Sequence, residues 1–406
     1  MSRYECVIVG AGPAGVTTAL SLVHARSELA SRVLVLDKCN FPRDKYCAGA
    51  LGMRGEKLLV AIGAMPDVPS CPFDGIRFRG LFGQTEARLS SIGRVVRRME
   101  FDDALVKIAR ARGVQIEEGT SVLGIKADSD GVALTTNRGE IQANVVLGAD
   151  GVGSVVRKAM GLPRGALRAQ VLEIDTEILP HERDLSMVDF DAADRNLTGY
   201  YWDFPTIVEG RTMMCRGVYK LLLDGGDGAD IRDRFAARLR AMGLCLEHYK
   251  NKRYAERGLE TLTKVGKGRL LLAGESAGID PATGEGIAQA IEYGTVAGTF
   301  LAERFGTDTR DLGTQFDAHF RTTRLYRDLR IRERFARHYY GVERDAIDRF
   351  FVESDAAIHV GCQHFANEPY DRFKLVEAGA RAVAHGASAM VDRLLRGRQE
   401  SGPSRR

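Results

Sequence analysis

The sequence predicts a mixed α/β protein, in which a doubly wound domain is interleaved with a β-sheet domain and followed by a helical C-terminal extension. Three observations lead there. Short, continuously apolar strands bracket a helical stretch at the N-terminus. A glycine-rich turn joins the first strand to that helix, and a second glycine-rich junction returns far downstream at 270–287. Between them, strand-length segments are separated by Gly, Asp and Asn turns; beyond them the chain turns helical and rich in arginine.

Residues 5–9 (Glu-Cys-Val-Ile-Val) read as a short buried strand. A helix-permissive run from Ala14 to about Ala25 follows, then a second strand at 32–36. Continuous apolar strands of this kind suit a parallel sheet covered on both faces. Segments 114–117, 121–126, 132–136 and 145–147 read as further strands. From about Leu167 to Tyr219 the pattern again favours strands, with Gly210 and Gly217 read as breakers.

Composition narrows the class. The balance of 58 Lys+Arg against 54 Asp+Glu leaves +4, too small an excess to argue for nucleic acid. No apolar stretch is long enough for a membrane-spanning helix, and the start of the chain lacks a signal-peptide pattern, so the reading is a soluble, cytoplasmic protein. Seven scattered cysteines without a C-x-x-C pair, and histidines without ligand spacing, argue against disulfides and against a metal site.

The strongest chemical signal is Gly10-Ala11-Gly12-Pro13-Ala14-Gly15. It follows a strand, opens a helix, and is answered by Asp37 at the end of the second strand, the arrangement of a Rossmann-type dinucleotide site. Gly10 permits the tight turn, Gly12 lets backbone N–H groups approach a pyrophosphate, and Gly15 lets helix and sheet pack. The helix N-terminus favours the phosphate charge, and Asp37 is suited to a ribose diol. Two further segments decide which dinucleotide. Gly148-Ala149-Asp150-Gly151 follows another apolar strand, and Gly274-Glu275 is followed by Pro281 and by Gly284-Glu285-Gly286-Ile287 opening a helix. A nicotinamide has no need of the last element. A flavin does, for an acidic acceptor at its ribityl chain and helix N–H groups at its pyrimidine carbonyl.

Taken together, these segments resemble the FAD-dependent oxidoreductases of the aromatic-hydroxylase fold, and most closely the geranylgeranyl reductase family, over roughly residues 4–300. The resemblance includes Arg98 in Arg98-Met99-Glu100-Phe101-Asp102, the loop Phe41-Pro42-Arg43-Asp44-Lys45-Tyr46-Cys47, and Tyr201-Trp202-Asp203-Phe204-Pro205, which is similar to the family's aromatic substrate wall. It implies FAD contacts from Lys38, Ala48, Arg98, Val122, Asp150, Gly274, Glu275, Pro281, Gly284, Gly286 and Ile287, in addition to Gly10–Gly15 and Asp37. Glu275 and Ala48 stand where the family usually has Asp and Gly, and Arg211, Met213 and Met214 interrupt a glycine pattern that often follows the wall. The implied organisation is an FAD domain from 1–165 and 261–305, a β-sheet substrate domain at 166–260, a helical region at 306–398 and a flexible tail at 399–406.

Cys47 has two readings. Arg43 and Lys45 close in sequence would lower the thiol pKa and favour a proton donor or nucleophile; alternatively, a small side chain lets the loop pack beneath the flavin. Period-two alternation puts Tyr200, Trp202 and Phe204 on one face of their strand and Tyr201 on the other, and one face is expected to line a substrate pocket. Related flavin halogenases have a similar aromatic motif, but also need a pocket lysine, and 71–96 contains none. Arg324, Arg327, Arg330, Arg334 and Arg337 recur at helical spacing, as a solvated face or a dock for an anionic substrate or acidic carrier protein.

The expected activity is reduction of a carbon–carbon or conjugated double bond of a hydrophobic small molecule, with NAD(P)H as transient reductant or a separate flavin reductase as electron donor. Cys47 or a water would supply the proton. The alternatives are an FAD-dependent monooxygenase, with halogenation the less favoured form, and a non-catalytic FAD-binding partner protein.

Overall fold

A computed structural model describes residues 3–223, 231–341 and 344–384. The tail at 399–406 and the end of the expected helical region, 385–398, lie outside these residues.

The first sheet is built as the apolar N-terminal strands require. Arg3–Val9 lies at its centre, parallel to Val33–Leu36 on one side and to Gly139–Gly148 on the other, and Leu270–Leu272 and Gln115–Glu117 extend it in parallel. Cys6 to Ile8 and Val33 to Leu36 are fully buried because both faces are covered. Helices Pro13–Ala25 and Ile287–Arg304 pack against each other, with Gly294 and Gly298 of the second seated on the backbone of the first. A Cβ at Gly298 would lie 2.4 Å from the Thr18 carbonyl oxygen, so the helices could not approach this closely with any side chain there.

The second sheet runs in the order Lys252–Arg257, Arg168–Thr176, Arg211–Leu222, Gly199–Val208, Met187–Asp191, Ser70–Arg79, Gln84–Val96 and Ala50–Gly52. It is antiparallel except where Met187–Asp191 meets Ser70–Arg79. Strands from residues 50–96 therefore join strands from beyond 166, which is how the two layers interleave. The chain ends, within the described residues, in helices from Leu312–Thr322 to Arg372–Ala384. None of the described helices is long and apolar enough to cross a membrane. All seven cysteines are free.

One expectation is corrected here. Gly210 turns between strands with φ +76°, but Gly217 breaks nothing: it sits within Arg211–Leu222, opposite Trp202. A Cβ at Gly217 would lie 2.0 Å from the Trp202 ring. The glycine leaves the space that the indole fills.

Candidate functional site

The turn after the first strand, the ends of its neighbours and the edge of the second sheet surround a cavity of about 630 Å³. At its floor Gly10 adopts φ +104°, a left-handed conformation that glycine enters without penalty, and its missing Cβ avoids the Ala149 carbonyl oxygen at 2.3 Å. Gly15 has the Gly10 carbonyl oxygen 1.9 Å from where a Cβ would stand. Helix Pro13–Ala25 starts at Gly12 without a side-chain cap, so its first N–H groups are left to whatever the cavity holds. A Cβ on Gly12 would meet only the guanidinium nitrogens of Arg43 at 3.6 Å and Arg98 at 3.9 Å. An uncapped helix N-terminus between two arginines is suited to a diphosphate.

Each cation is held by acids. Arg98, buried, donates from Nε and a terminal nitrogen to the two oxygens of Asp102 at 2.7 and 2.6 Å. Arg43 lies 3.3 Å from Asp102 and 4.0 Å from Asp37. Asp37 accepts the N–H of Ala11 at 2.8 Å and that of Cys39 at 2.9 Å, which ties the glycine turn to the second strand. On the opposite side Asp150 caps the short helix Val155–Ala159 through Val155 N–H at 2.7 Å. Its Oδ1 is buried without a partner, and burial raises its carboxyl pKa. Glu275 takes Lys45 at 3.3 Å with one oxygen and leaves the other unpartnered.

The segment 280–286 closes the cavity towards the second sheet. Asp280 receives Ala282 N–H at 2.7 Å and the Thr283 hydroxyl at 2.5 Å, and pairs with Arg332. Arg332 also reaches Glu285 at 3.1 Å. Three tyrosine hydroxyls donate to consecutive carbonyls of this segment: Tyr219 to Pro281 at 3.0 Å, Tyr340 to Ala282 at 3.1 Å, and Tyr200 to Thr283. Gly284 follows in the left-handed region, and helix Ile287–Arg304 begins, again uncapped, beside the cavity.

Of the expected cofactor residues, Gly10, Gly12, Pro13, Ala14, Asp37, Lys38, Arg98, Val122, Asp150, Glu275, Gly284, Gly286 and Ile287 line this cavity, as does Cys47. Ala11, Gly15, Gly274 and Pro281 do not line it; Gly274 lets the chain pass close to the Ala14 side chain. Ala48 packs into the hydrophobic cluster of the second sheet instead.

Residues 3–194 match the FAD binding domain family. Along most of its length the chain is similar to two curated reductases. It is 27% identical to a menaquinone reductase of Mycobacterium tuberculosis over 344 residues, covering 76% of this chain and 77% of that protein. It is 26% identical to a digeranylgeranylglycerophospholipid reductase of Methanocella arvoryzae over 366 residues, covering 79% and 83%. The match makes residues 3–194 an FAD binding domain. Among solved structures, a geranylgeranyl bacteriochlorophyll reductase-like protein of Thermoplasma acidophilum shares the fold, with a TM-score of 0.75 at 18% identity over 97% of this chain and all of that one.

The geometry of the cavity fits FAD: two uncapped helix starts, paired guanidinium groups at the first, and shielded, unpartnered carboxyl oxygens on Asp150 and Glu275. Two expectations about the chemistry are corrected. Cys47 lines the cavity, but burial raises its thiol pKa; Arg98 opposes this most, Glu173 adds to it, and Lys45 opposes more weakly. Arg43 turns instead to Asp37 and Asp102, so proximity in sequence misidentifies the governing cation. The aromatic strand alternates as expected, with Tyr200, Trp202 and Phe204 in one cluster and Tyr201 in another, yet none of the four lines the cavity. Trp202 and Phe204 are packed inside the second layer, Tyr200 holds the 283 carbonyl, and Tyr201 faces a shallow depression on the other side with Asp194 and Arg238.

The arginine helix is likewise only partly solvated. Arg324 and Arg327 are exposed, while Arg330, Arg334 and Arg337 are half-buried, and it is Arg332, off that face, that reaches the cofactor segment.

Sequence reasoning missed three residues at the cavity's second-sheet edge. Glu173 is fully buried, accepts the Cys47 N–H at 3.0 Å and the Tyr254 hydroxyl at 3.1 Å, and burial pushes its carboxyl up to about 7. Tyr254 and Glu256 line the cavity itself. The available signals were an acid set among Val171, Leu172 and Ile174 and the alternation of Tyr254 with Glu256.

Proposed function

We propose that this protein is an FAD-dependent oxidoreductase that reduces a carbon–carbon or conjugated double bond of a hydrophobic small molecule, with FAD held by Gly10–Gly15, Asp37, Arg98, Asp150, Glu275 and Gly284–Ile287. FAD, once reduced, supplies a hydride for this chemistry. The chain's residues bind and orient it: the helix starts and Arg43 with Arg98 receive the diphosphate, and Asp37 the ribose. Only one dinucleotide fingerprint is present, so NAD(P)H would bind transiently or electrons would arrive from a separate reductase.

The observation that carries this reading is a proton-holding wall beside the cavity. Burial keeps the Cys47 thiol in its SH form, and the Cys47 backbone is fixed by Glu173, itself kept from ionising at mildly acid pH. Adding hydrogen across a double bond requires a proton at the carbon opposite the hydride, and a protonated thiol at the cavity wall can give it. Oxygen insertion needs no donor to that carbon. The two curated relatives named as reductases support the same class.

The test uses FAD-loaded protein, reduced without oxygen in D₂O and mixed with an unsaturated isoprenoid or isoprenoid quinone. The expected result is reoxidation and a product carrying deuterium at both carbons of the former double bond, because the hydride-donating N–H of reduced flavin and the acid each exchange with D₂O. A product formed only in air, with label from ¹⁸O₂, would overturn the reading in favour of a monooxygenase. Purified protein that takes up no FAD would overturn the cofactor assignment.

A further inference from the structure

The cavity holds a carboxyl group that the chemistry above does not use. Glu256 lies on Lys252–Arg257 at the edge of the second sheet, on the same face as Tyr254, and both side chains line the cavity. Tyr254 is engaged with Glu173. Glu256 keeps its Oε2 shut off from solvent and without a hydrogen-bond partner. That oxygen sits under the Gly284 turn, where a Cβ on Gly284 would come within 2.9 Å of it. Glu275, across the same corner, also leaves one shielded oxygen unpartnered. A buried carboxylate without a donor is costly, whereas a carboxylic acid in the same place needs only an acceptor.

We propose that Glu256 stands as a neutral acid and donates a hydrogen bond from its carboxyl group to an acceptor atom of the bound cofactor. The inference rests on the FAD reading above. The groups that face Glu256 come from every neighbouring element: Lys45 from the loop after the second strand, Glu275 and Asp280 from the glycine-rich junction, Glu173 from the adjacent strand, and the hydroxyls of Tyr200, Tyr219 and Tyr254. Burial, with Glu275 next, pushes the Glu256 carboxyl up to about 8, and Lys45 opposes them. Lys45, 42% exposed and paired with Glu275, connects this corner to solvent, so a proton lost from Glu256 can be replaced.

The experiment is FAD binding to the full-length apoprotein, followed by fluorescence and by the visible bands of the bound flavin, from about pH 6.5 to about pH 9.5. In the wild type, the dissociation constant is expected to rise on the order of tenfold as Glu256 ionises, and the flavin bands to shift with the same midpoint. Glu256→Gln retains an N–H donor but cannot titrate: its affinity should stay within about threefold of the wild-type value at low pH and remain flat, with no band shift. Glu256→Ala, with circular dichroism as the folding control, should bind about tenfold more weakly at low pH and also remain flat. If FAD binds and the wild-type and Gln profiles run parallel, the proposal is overturned while the cofactor reading stands. If none of the three proteins binds FAD, the cofactor reading fails and takes the proposal with it.

Discussion

Replacing Glu173 with glutamine tests the proton-holding wall through stability, without any substrate. Glu173 is fully buried, and burial raises its carboxyl from an ordinary 4.5 to about 7, against the opposing influence of Lys252 and the Tyr254 hydroxyl. Because the folded value is the higher one, the folded state binds the extra proton between the two values. The stabilisation is complete below 4.5 and is lost as pH rises through 7. At ~1.4 kcal/mol per pH unit, that interval is worth about 3 kcal/mol. Glutamine accepts the Cys47 N–H as the carboxyl does and can still share a hydrogen bond with Tyr254, but its contribution does not titrate. At ~2.1 cal/mol/K per residue over 406 residues, about 3 kcal/mol corresponds to a Tm change of roughly 3–4 °C. Thermal unfolding at about pH 5 and about pH 8 should therefore show wild type losing that much relative to Glu173→Gln over the interval. Comparing the two proteins removes titrations common to both, such as that of Asp189, which burial raises to about 6. Melting curves that keep the same separation at both pH values would refute the burial argument and, with it, the picture of a protonated wall.

Gly12→Val places a branched side chain between the guanidinium groups of Arg43 and Arg98; FAD retention should be lost while the apoprotein Tm stays within about 2 °C, as checked by absorbance and calorimetry. Cys47→Ala should leave FAD affinity within about threefold and slow transfer to an unsaturated substrate on the order of 10²-fold in anaerobic stopped flow; a wild-type rate would reduce the thiol to packing. Gly217→Ala drives a methyl group into the Trp202 ring and should cost about 1–3 kcal/mol in denaturant unfolding, whereas a glycine that merely broke a strand would be improved by alanine.

The parts of the cofactor site legible in the sequence were those written in backbone geometry. Gly10, Gly15 and Gly274 each leave out a Cβ that a specific neighbouring atom would meet, so their spacing reports close approaches that hold in any folded context. The unread parts depend on which layer a strand joins. Alternation separated Tyr201 from its neighbours, but nothing local in the chain says that the Tyr200 hydroxyl ends on the Thr283 carbonyl rather than in a pocket. Glu173 and Glu256 looked like ordinary polar positions until the second sheet turned that edge towards the cavity. Strands Ser70–Arg79 and Gln84–Val96, which pair with each other, went unassigned; the strand that joins them to the second sheet, Met187–Asp191 beside Ser70–Arg79, lies about a hundred residues downstream. Charge failed for a related reason: Arg43 is near Cys47 in sequence, but its guanidinium turns to Asp37 and Asp102, leaving burial to govern the thiol.

The convergence on residues 280–284 gives the C-terminal helices a place in the chemistry. This segment bends through a left-handed Gly284 and has few backbone hydrogen bonds of its own, so its carbonyls need partners from elsewhere. Tyr200 and Tyr219 supply two from the second sheet, and Tyr340 supplies one from the end of the arginine-rich helix. Arg332, from the same helix, fixes Asp280, which in turn orders Ala282 and Thr283. Loss of either helix contact would leave a buried acceptor or charge unpaired beside the cavity, a cost of about 1–3 kcal/mol or more that loosening the segment relieves. The position of the second uncapped helix start, and the space above Glu256, thus depend on residues far from the glycine motif that first reveals the cofactor.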